Sequence, residues 1–254
     1  MVNEIRVDRL DAVIFDLDGV ITDTASVHAA AWKRMFDQFL ADRADREGED
    51  QQPFSEDDYY LYVDGKPRYD GVESFLASRG ISLPRGDPGD LPAAETACGL
   101  GNRKDELFLS QLRKEGVASF PSSIALLHGL RASGCRTAVI SASRNCSNVL
   151  EAAGVAELFD AKVDGLDADE LGLKGKPNPA VFLEAARRLE VEPARAAVVE
   201  DALAGVEAGR RGGFGLVIGV DRAGHAEELR ERGADILVGD LGEVRITATR
   251  GNDR

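Results

Sequence analysis

Val13-Ile14-Phe15-Asp16-Leu17-Asp18-Gly19-Val20-Ile21-Thr22-Asp23-Thr24 is the stretch on which the reading of this 254-residue chain turns. The apolar run from Ala12 to Phe15 predicts a strand buried on both faces, as in a parallel sheet. It stops at two acids two positions apart. Strand alternation places Asp16 and Asp18 on the same side, and Gly19 permits a sharp turn beyond the sheet edge. Two carboxylates held together at a strand end are costly without a cation between them. Mg²⁺ is the expected ion, since it takes oxygen ligands and also holds a phosphate. One acid could then attack phosphorus while the other moves a proton. Taken alone, the pair reads first as solvated acids capping a turn, so the remaining strand ends decide.

Composition narrows the field first. Hydrophobic residues make up 43% and charged residues 30%, as in an ordinary globular protein. Lys and Arg total 31 against 45 Asp and Glu, a net charge of −14. Such a surface repels nucleic acid and anionic membranes, so neither is expected as a partner. An anionic substrate would have to be drawn in by a local basic cluster. Cys98, Cys135 and Cys146 lack CxxC spacing, which predicts reduced thiols and a cytoplasmic setting. Met1 to Leu10 carries no signal-peptide core, and no apolar run reaches membrane-spanning length.

The first strand (about residues 11–17) leads into Thr22-Asp23-Thr24, which offers helix-capping chemistry, and then into a helix over about 25–42. Residues 43–53 read as an exposed excursion, part of a longer insertion near 43–60. Helices are expected near 55–63, 69–79, 93–98 and 103–115, with a Pro/Gly loop at 82–92. After Pro121 the pattern becomes strand and helix alternation. Strands fall at 136–141, 160–163, 196–200, 215–220 and 235–238. Helices fall between them at about 122–133, 145–153, 178–190, 203–211 and 225–232. This predicts an α/β fold: a doubly wound parallel sheet, a Rossmann-like core, with an inserted helical cap domain. The core is placed at 1–23 plus 104–254 and the cap at 24–103.

Ligands of such sheets bind outside the carboxyl ends of the strands. The second strand ends in Ser141-Ala142-Ser143-Arg144-Asn145, where a hydroxyl and a helix start could hold phosphate oxygens. A later strand ends in Glu200-Asp201, a second carboxylate pair. Lys176-Pro177 stands before a helix, with Pro suited to its first turn. Singly, each is a cap, a solvated lysine or a loop acid. Together they converge on metal ligands, a phosphate cradle and one fixed cation.

The order Asp-x-Asp, Ser/Thr, Lys, Glu-Asp resembles the haloacid dehalogenase superfamily of phosphatases and phosphomutases. FDLDGVITDTASVHAAAW, SASRN and GKPNP resemble its beta-phosphoglucomutase-like subfamily along nearly the whole chain. The resemblance implies that Asp16 is the nucleophile that forms an aspartyl-phosphate and that Asp18 is the general acid/base. Asp16, the Asp18 backbone carbonyl, Glu200 and Asp201 would hold Mg²⁺. Ser141 and Lys176 would hold the transferring phosphate, with Ala142, Ser143, Arg144 and Asn145 lining the substrate. In the cap, Gly65-Lys66-Pro67-Arg68 resembles the loop whose Arg grips the phosphate that is not transferred. Asp64 stands where that pattern has a Lys, so Lys66 replaces it only if the loop bends differently. Lys104 could face the substrate. His28 reads as a link between nucleophile and cap or as a satisfied helical histidine. Trp32 reads as cap core before sugar platform.

The implied activity is interconversion of beta-glucose 1-phosphate and glucose 6-phosphate through glucose 1,6-bisphosphate. The alternative is a Mg²⁺-dependent sugar-phosphate or phosphoglycolate-type phosphatase. A non-catalytic phospho-ligand sensor would have no need of the intact nucleophile. The expected partner is a small phosphorylated sugar, and the expected state a monomer.

Overall fold

The computed structural model describes residues 3–48, 51–222 and 224–248. In chain order it contains β1 (Glu4–Arg6), β2 (Ala12–Asp16), α1 (Ala25–Glu47), and α2 (Glu56–Asp58), which runs into a π-helical turn (Tyr59–Val63). There follow α3 (Arg68–Ser78), α4 (Ala97–Glu115), α5 (Pro121–Ala132), β3 (Arg136–Ile140), α6 (Cys146–Ala153), β4 (Ala161–Val163) and α7 (Gly165–Leu171). The chain ends through α8 (Ala180–Arg188), β5 (Ala196–Glu200), α9 (Leu203–Arg211), β6 (Leu216–Val220), α10 (Ala226–Arg232), β7 (Ile236–Val238) and β8 (Arg245–Thr247). Two compact units result: Met1–Asp23 with Ala118–Arg254, and Thr24–Val117. Among the described residues no helix is long and apolar enough to cross a membrane.

The first unit is built on a six-stranded sheet in the order β4-β3-β2-β5-β6-β7. Every neighbouring pair is parallel. All five residues of β2 and all five of β5 are buried, as their continuous apolar sequences require of central parallel strands. The chain leaves β2 on one side through β3 and β4, then returns to β2's other side with β5. That reversal opens a crevice at the carboxyl ends of β2 and β5. Register aligns Ala12 with both Arg136 and Ala196, so Asp16 and Glu200 emerge side by side. One face of the sheet packs Ile14, Ile140 and Val198 against Phe182, Ala185 and Ala186 of α8 and against Phe214. Phe182 and Phe214 meet edge to face with centroids 6.0 Å apart. A separate parallel pair, β1 with β8, joins the two ends of this unit and was absent from the sequence reading.

The second unit is helical around an aromatic core. Phe36 stacks on Trp32 and Phe54 and tilts against Phe75, with centroids 4.1 to 5.3 Å apart. Three expectations are corrected here. First, α1 runs on to Glu47, well into the expected excursion, because Ala41-Asp42-Arg43-Ala44-Asp45-Arg46 contains strong helix formers. It stops at Gly48, in the left-handed conformation, and residues 49–50 of the excursion lie outside the described residues. Second, 93–98 and 103–115 are not separate helices. α4 is continuous through Gly99 and Gly101, and the expected boundary at 103–104 falls inside it. Both glycines admit close neighbours, since a Cβ on Gly99 would meet the Ala94 carbonyl and one on Gly101 the Tyr69 ring at 2.8 Å. Third, Thr24 occupies the N-cap position of α1 but has helical backbone angles and makes no side-chain cap bond.

A cap of the expected chemistry does occur at Ser55, whose hydroxyl accepts from the Asp58 N–H while Asp58 accepts from the Ser55 N–H. Arg79 donates to the same Asp58 carboxylate at 2.6 Å. Burial alone would raise the Asp58 carboxyl, but the Ser55 bonds and Arg79 outweigh it and hold it below the ordinary aspartate value. A depressed folded-state value means stability that is present above the unfolded value and lost as pH falls through the folded one. Asp58→Asn is therefore expected to cost about 1–3 kcal/mol at neutral pH and much less near pH 3. Urea unfolding at both pH values checks this, and a cost that does not change with pH would refute it.

Candidate active site

Asp16 closes β2 and is 6% exposed. Its Oδ1 accepts from Lys176 Nζ at 2.5 Å, and its Oδ2 accepts from the Asp18 N–H at 3.1 Å. Lys176 also donates to Glu200 Oε1, at the end of β5. Glu200 is fully buried, and its Oε2 accepts from the Ala202 N–H at 2.7 Å. Oxygens of Asp16, Glu200 and Asp201 lie within 4.8 Å of one another. Lys176 comes from an irregular segment, and α8 starts only at Ala180, so Pro177 is not in its first turn as expected. The Lys176-Pro177 peptide is cis, and the Phe182 ring centroid lies 5.5 Å from Nζ.

Two glycines make room for this cluster. A Cβ on Gly205 in α9 would overlap the Glu200 carboxylate, and one on Gly19 would overlap that of Asp201. Gly19 has a φ of 86°, which independently favours glycine. Burial pushes the Asp16 carboxyl well above the ordinary range, with Glu200 and Asp18 adding to the rise against the pull of Lys176. For Lys176, burial favours the neutral amine, but Asp16 and Glu200 prevail and hold it protonated above the usual lysine value. Lys176 brings one positive charge to the two carboxylates it pairs with, Asp16 and Glu200, and Asp201 adds a third carboxylate, so the cluster is a set of hard oxygen donors. That donor set fits Mg²⁺, which Asp16, Glu200 and Asp201 would hold.

Asp18 stands outside the carboxylate cluster. Its Oδ2 accepts from Ser141 Oγ at 3.0 Å. Ser141 Oγ in turn accepts from the Ser143 N–H at 3.0 Å, and Ser143 Oγ from the Asn145 N–H at 3.1 Å. The 141–145 segment is thus a tight turn before α6. The start of α7 supports it from behind, where the Gly165 N–H donates to the Ser143 carbonyl. A Cβ on Gly165 would lie 2.9 Å from the Ala142 carbonyl oxygen. α7 and Gly165 escaped the sequence reading, although Asp164 and Asp167, three apart, form a capping box that signals the helix. Arg144 is not drawn in; its exposed side chain leans toward Asp169 at 3.6 Å.

The candidates of the second unit fall into separate groups. Arg68 pairs with Asp105 at 2.6 Å and donates to Asn102 Oδ1, which also accepts from the Tyr69 hydroxyl. Lys66, after the left-handed turn at Gly65, donates to Ser74 Oγ at 2.8 Å. Lys104 is 4% exposed and bonds to His28 Nδ1, above the Trp32 and Phe108 rings at 5.1 and 4.9 Å. His28 itself stacks on Phe108. Trp32 is buried among the aromatic core side chains, as its core reading expected.

Comparison with known proteins agrees with this architecture. A model of the haloacid dehalogenase-like hydrolases matches residues 10–213. A beta-phosphoglucomutase of Mycobacterium tuberculosis is 49% identical over 241 residues, covering 93% of this chain and 92% of that protein. A trehalose-phosphate phosphatase of Mycobacterium leprae is 42% identical over 129 residues, 49% of this chain and 28% of that protein. The crystal structure of a beta-phosphoglucomutase from Clostridium difficile superposes with a TM-score of 0.72 at 24% identity, covering 92% of each chain, and shares the fold. The parallel sheet β4-β3-β2-β5-β6-β7, with both matches, settles kinship: this chain belongs to the haloacid dehalogenase-like hydrolase family, in its beta-phosphoglucomutase-like branch.

Proposed function

We propose that the chain is a beta-phosphoglucomutase that interconverts beta-glucose 1-phosphate and glucose 6-phosphate through glucose 1,6-bisphosphate. The observation that carries the reading is the buried Asp16 carboxylate, bonded to Lys176, two residues from an Asp18 that is bonded to Ser141. An Asp16 oxygen forms a bond to phosphorus as the bond from phosphorus to the sugar oxygen breaks, leaving an aspartyl-phosphate. Asp18 gives its proton to the departing sugar oxygen and, in the reverse half-reaction, takes one from the attacking hydroxyl. Lys176 pulls Asp16 toward its ionised form against burial and adds positive charge next to the transferring oxygens, and Ser141 orients Asp18. Bound Mg²⁺ would supply further charge neutralisation at Asp16 and the phosphate. Arg68, oriented by Asp105 and Asn102, serves the phosphate that is not transferred.

Near full-length similarity to a protein named as a mutase favours this reading. The second reading, a phosphatase whose phosphoenzyme is discharged by water, is favoured by the hydrolase family and the Mycobacterium leprae relative. One assay separates them. Beta-glucose 1-phosphate and Mg²⁺ are supplied with and without catalytic glucose 1,6-bisphosphate, and glucose 6-phosphate and free phosphate are both followed. Glucose 6-phosphate in excess, stimulated by the bisphosphate, is the expected result. Free phosphate in excess would transfer the assignment to the phosphatase, and no product at all would remove both.

A further inference from the structure

The turn that follows Asp18 is fixed at three successive carbonyls by three donors from two remote segments. The Phe120 N–H donates to the Ile21 carbonyl at 2.9 Å, and Ser123 Oγ donates to the Val20 carbonyl at 2.6 Å. The third donor is Arg222, whose Nε reaches the Gly19 carbonyl at 3.1 Å. Arg222 follows β6, two strands away from β2 in the sheet. Its guanidinium lies on the Phe120 ring, with the carbon 3.9 Å from the centroid, and Nη1 donates to the Gly239 carbonyl, after β7, at 3.1 Å. Asp240 stands 3.5 Å from the same nitrogen. A planar fork with several fixed donors, stacked on an aromatic face, is a stiff strut where a lysine would be a flexible point charge.

Gly19 is a sensitive place for such a strut. It directly follows Asp18, its own N–H is bonded back to the Thr22 carbonyl at 2.8 Å, and its Cα abuts the Asp201 carboxylate. A shift of the Gly19 peptide moves the backbone that aims Asp18. We propose that Arg222 is a positioning residue for proton transfer: by anchoring the Gly19 carbonyl to the β6 and β7 ends, it holds Asp18 where it can protonate a leaving oxygen. This rests on the general acid/base assignment of Asp18 above. A displacement of about 1 Å in a catalytic group can lower a rate by about a hundredfold, so the effect is measurable.

The test compares two esters. A sugar phosphate needs a proton on its departing alkoxide, whereas p-nitrophenyl phosphate leaves as a stable phenolate and needs none. Both lose a phosphoryl group to Asp16. The step read is phosphoryl transfer to Asp16, followed in a single turnover as leaving group released, because later discharge of the phosphoenzyme calls on Asp18 for either ester. Arg222→Ala is expected to slow this step by about 30- to 100-fold for the sugar phosphate and by no more than about threefold for p-nitrophenyl phosphate. Arg222→Lys, which keeps the charge and tests the fork in a chain that folds more surely, is expected to show the same selectivity at a smaller size. Equal losses on both esters in either variant, or no loss on the sugar phosphate, would overturn the proposal. A wild-type protein that turns over neither ester would instead refute the function it rests on.

Discussion

Asp16→Asn is expected to lower turnover by at least about 10⁴-fold, because a carboxamide oxygen cannot form the acyl-phosphate on which both half-reactions depend. The substitution is nearly isosteric, and Lys176 keeps Glu200 as its partner, so the fold should persist. That separates it from a collapsed protein. Unfolding curves of the two proteins should nearly coincide, and phosphate label trapped by acid on the wild type should be missing from the variant. Retained label or near-normal activity would take the nucleophilic role away from Asp16.

Lys176→Met should produce the other large change, and it acts on stability as well as rate. Lys176 is 5% exposed and is the shared partner of two buried carboxylates. Its removal leaves Asp16 and Glu200 facing each other without their ammonium, and breaking a buried ion pair in this way costs about 3–5 kcal/mol. The loss is expected in full in the presence of a chelator. It should shrink as Mg²⁺ is added, because an ion that binds only the folded state stabilises it by mass action. Urea unfolding at several Mg²⁺ concentrations provides the check. A variant as stable as the parent in chelator would show that Lys176 is not the charge that holds the cluster together. Turnover should fall by about 10²–10³-fold, the usual effect of deleting one charge-stabilising donor.

What the sequence disclosed follows a physical division. The apolar run of β2 and the acid that closes it are local features and place Asp16, while Asp18 lies past the strand end, where alternation no longer applies, and turns to Ser141 instead. Glu200 after β5 and Ser141 after β3 were legible for the same reason: each closes a strand whose own residues announce it. Lys176 was found although no strand carries it, through the Lys-Pro pair, but its helix start was misplaced because Pro177 sits in the irregular segment ahead of α8. Features that depend on distant contacts stayed hidden. Gly99 and Gly101 fall between the helices expected at 93–98 and 103–115, yet they lie inside α4, where neighbouring groups press at the position a Cβ would take. The packing roles of Gly205 and Gly165 showed only once Glu200 and the 141–145 turn were seen against them. Arg222 carries no local signal at all, since its partners at Gly19, Phe120 and Gly239 come from three other places in the chain. Pairing of β1 with β8 joins segments at opposite ends of the sequence and has the same cause.

The segments flanking the inserted helical unit have a further implication. Thr22 bridges Ser119 in antiparallel fashion, the Asp23 N–H donates to the Ala118 carbonyl, and Phe120 returns a bond to Ile21. Outgoing and incoming strands are therefore zipped together before the chain departs, much like the stem of a hairpin. Any foreign module whose own termini lie a few ångströms apart could be spliced onto that stem without disturbing β2 or β3.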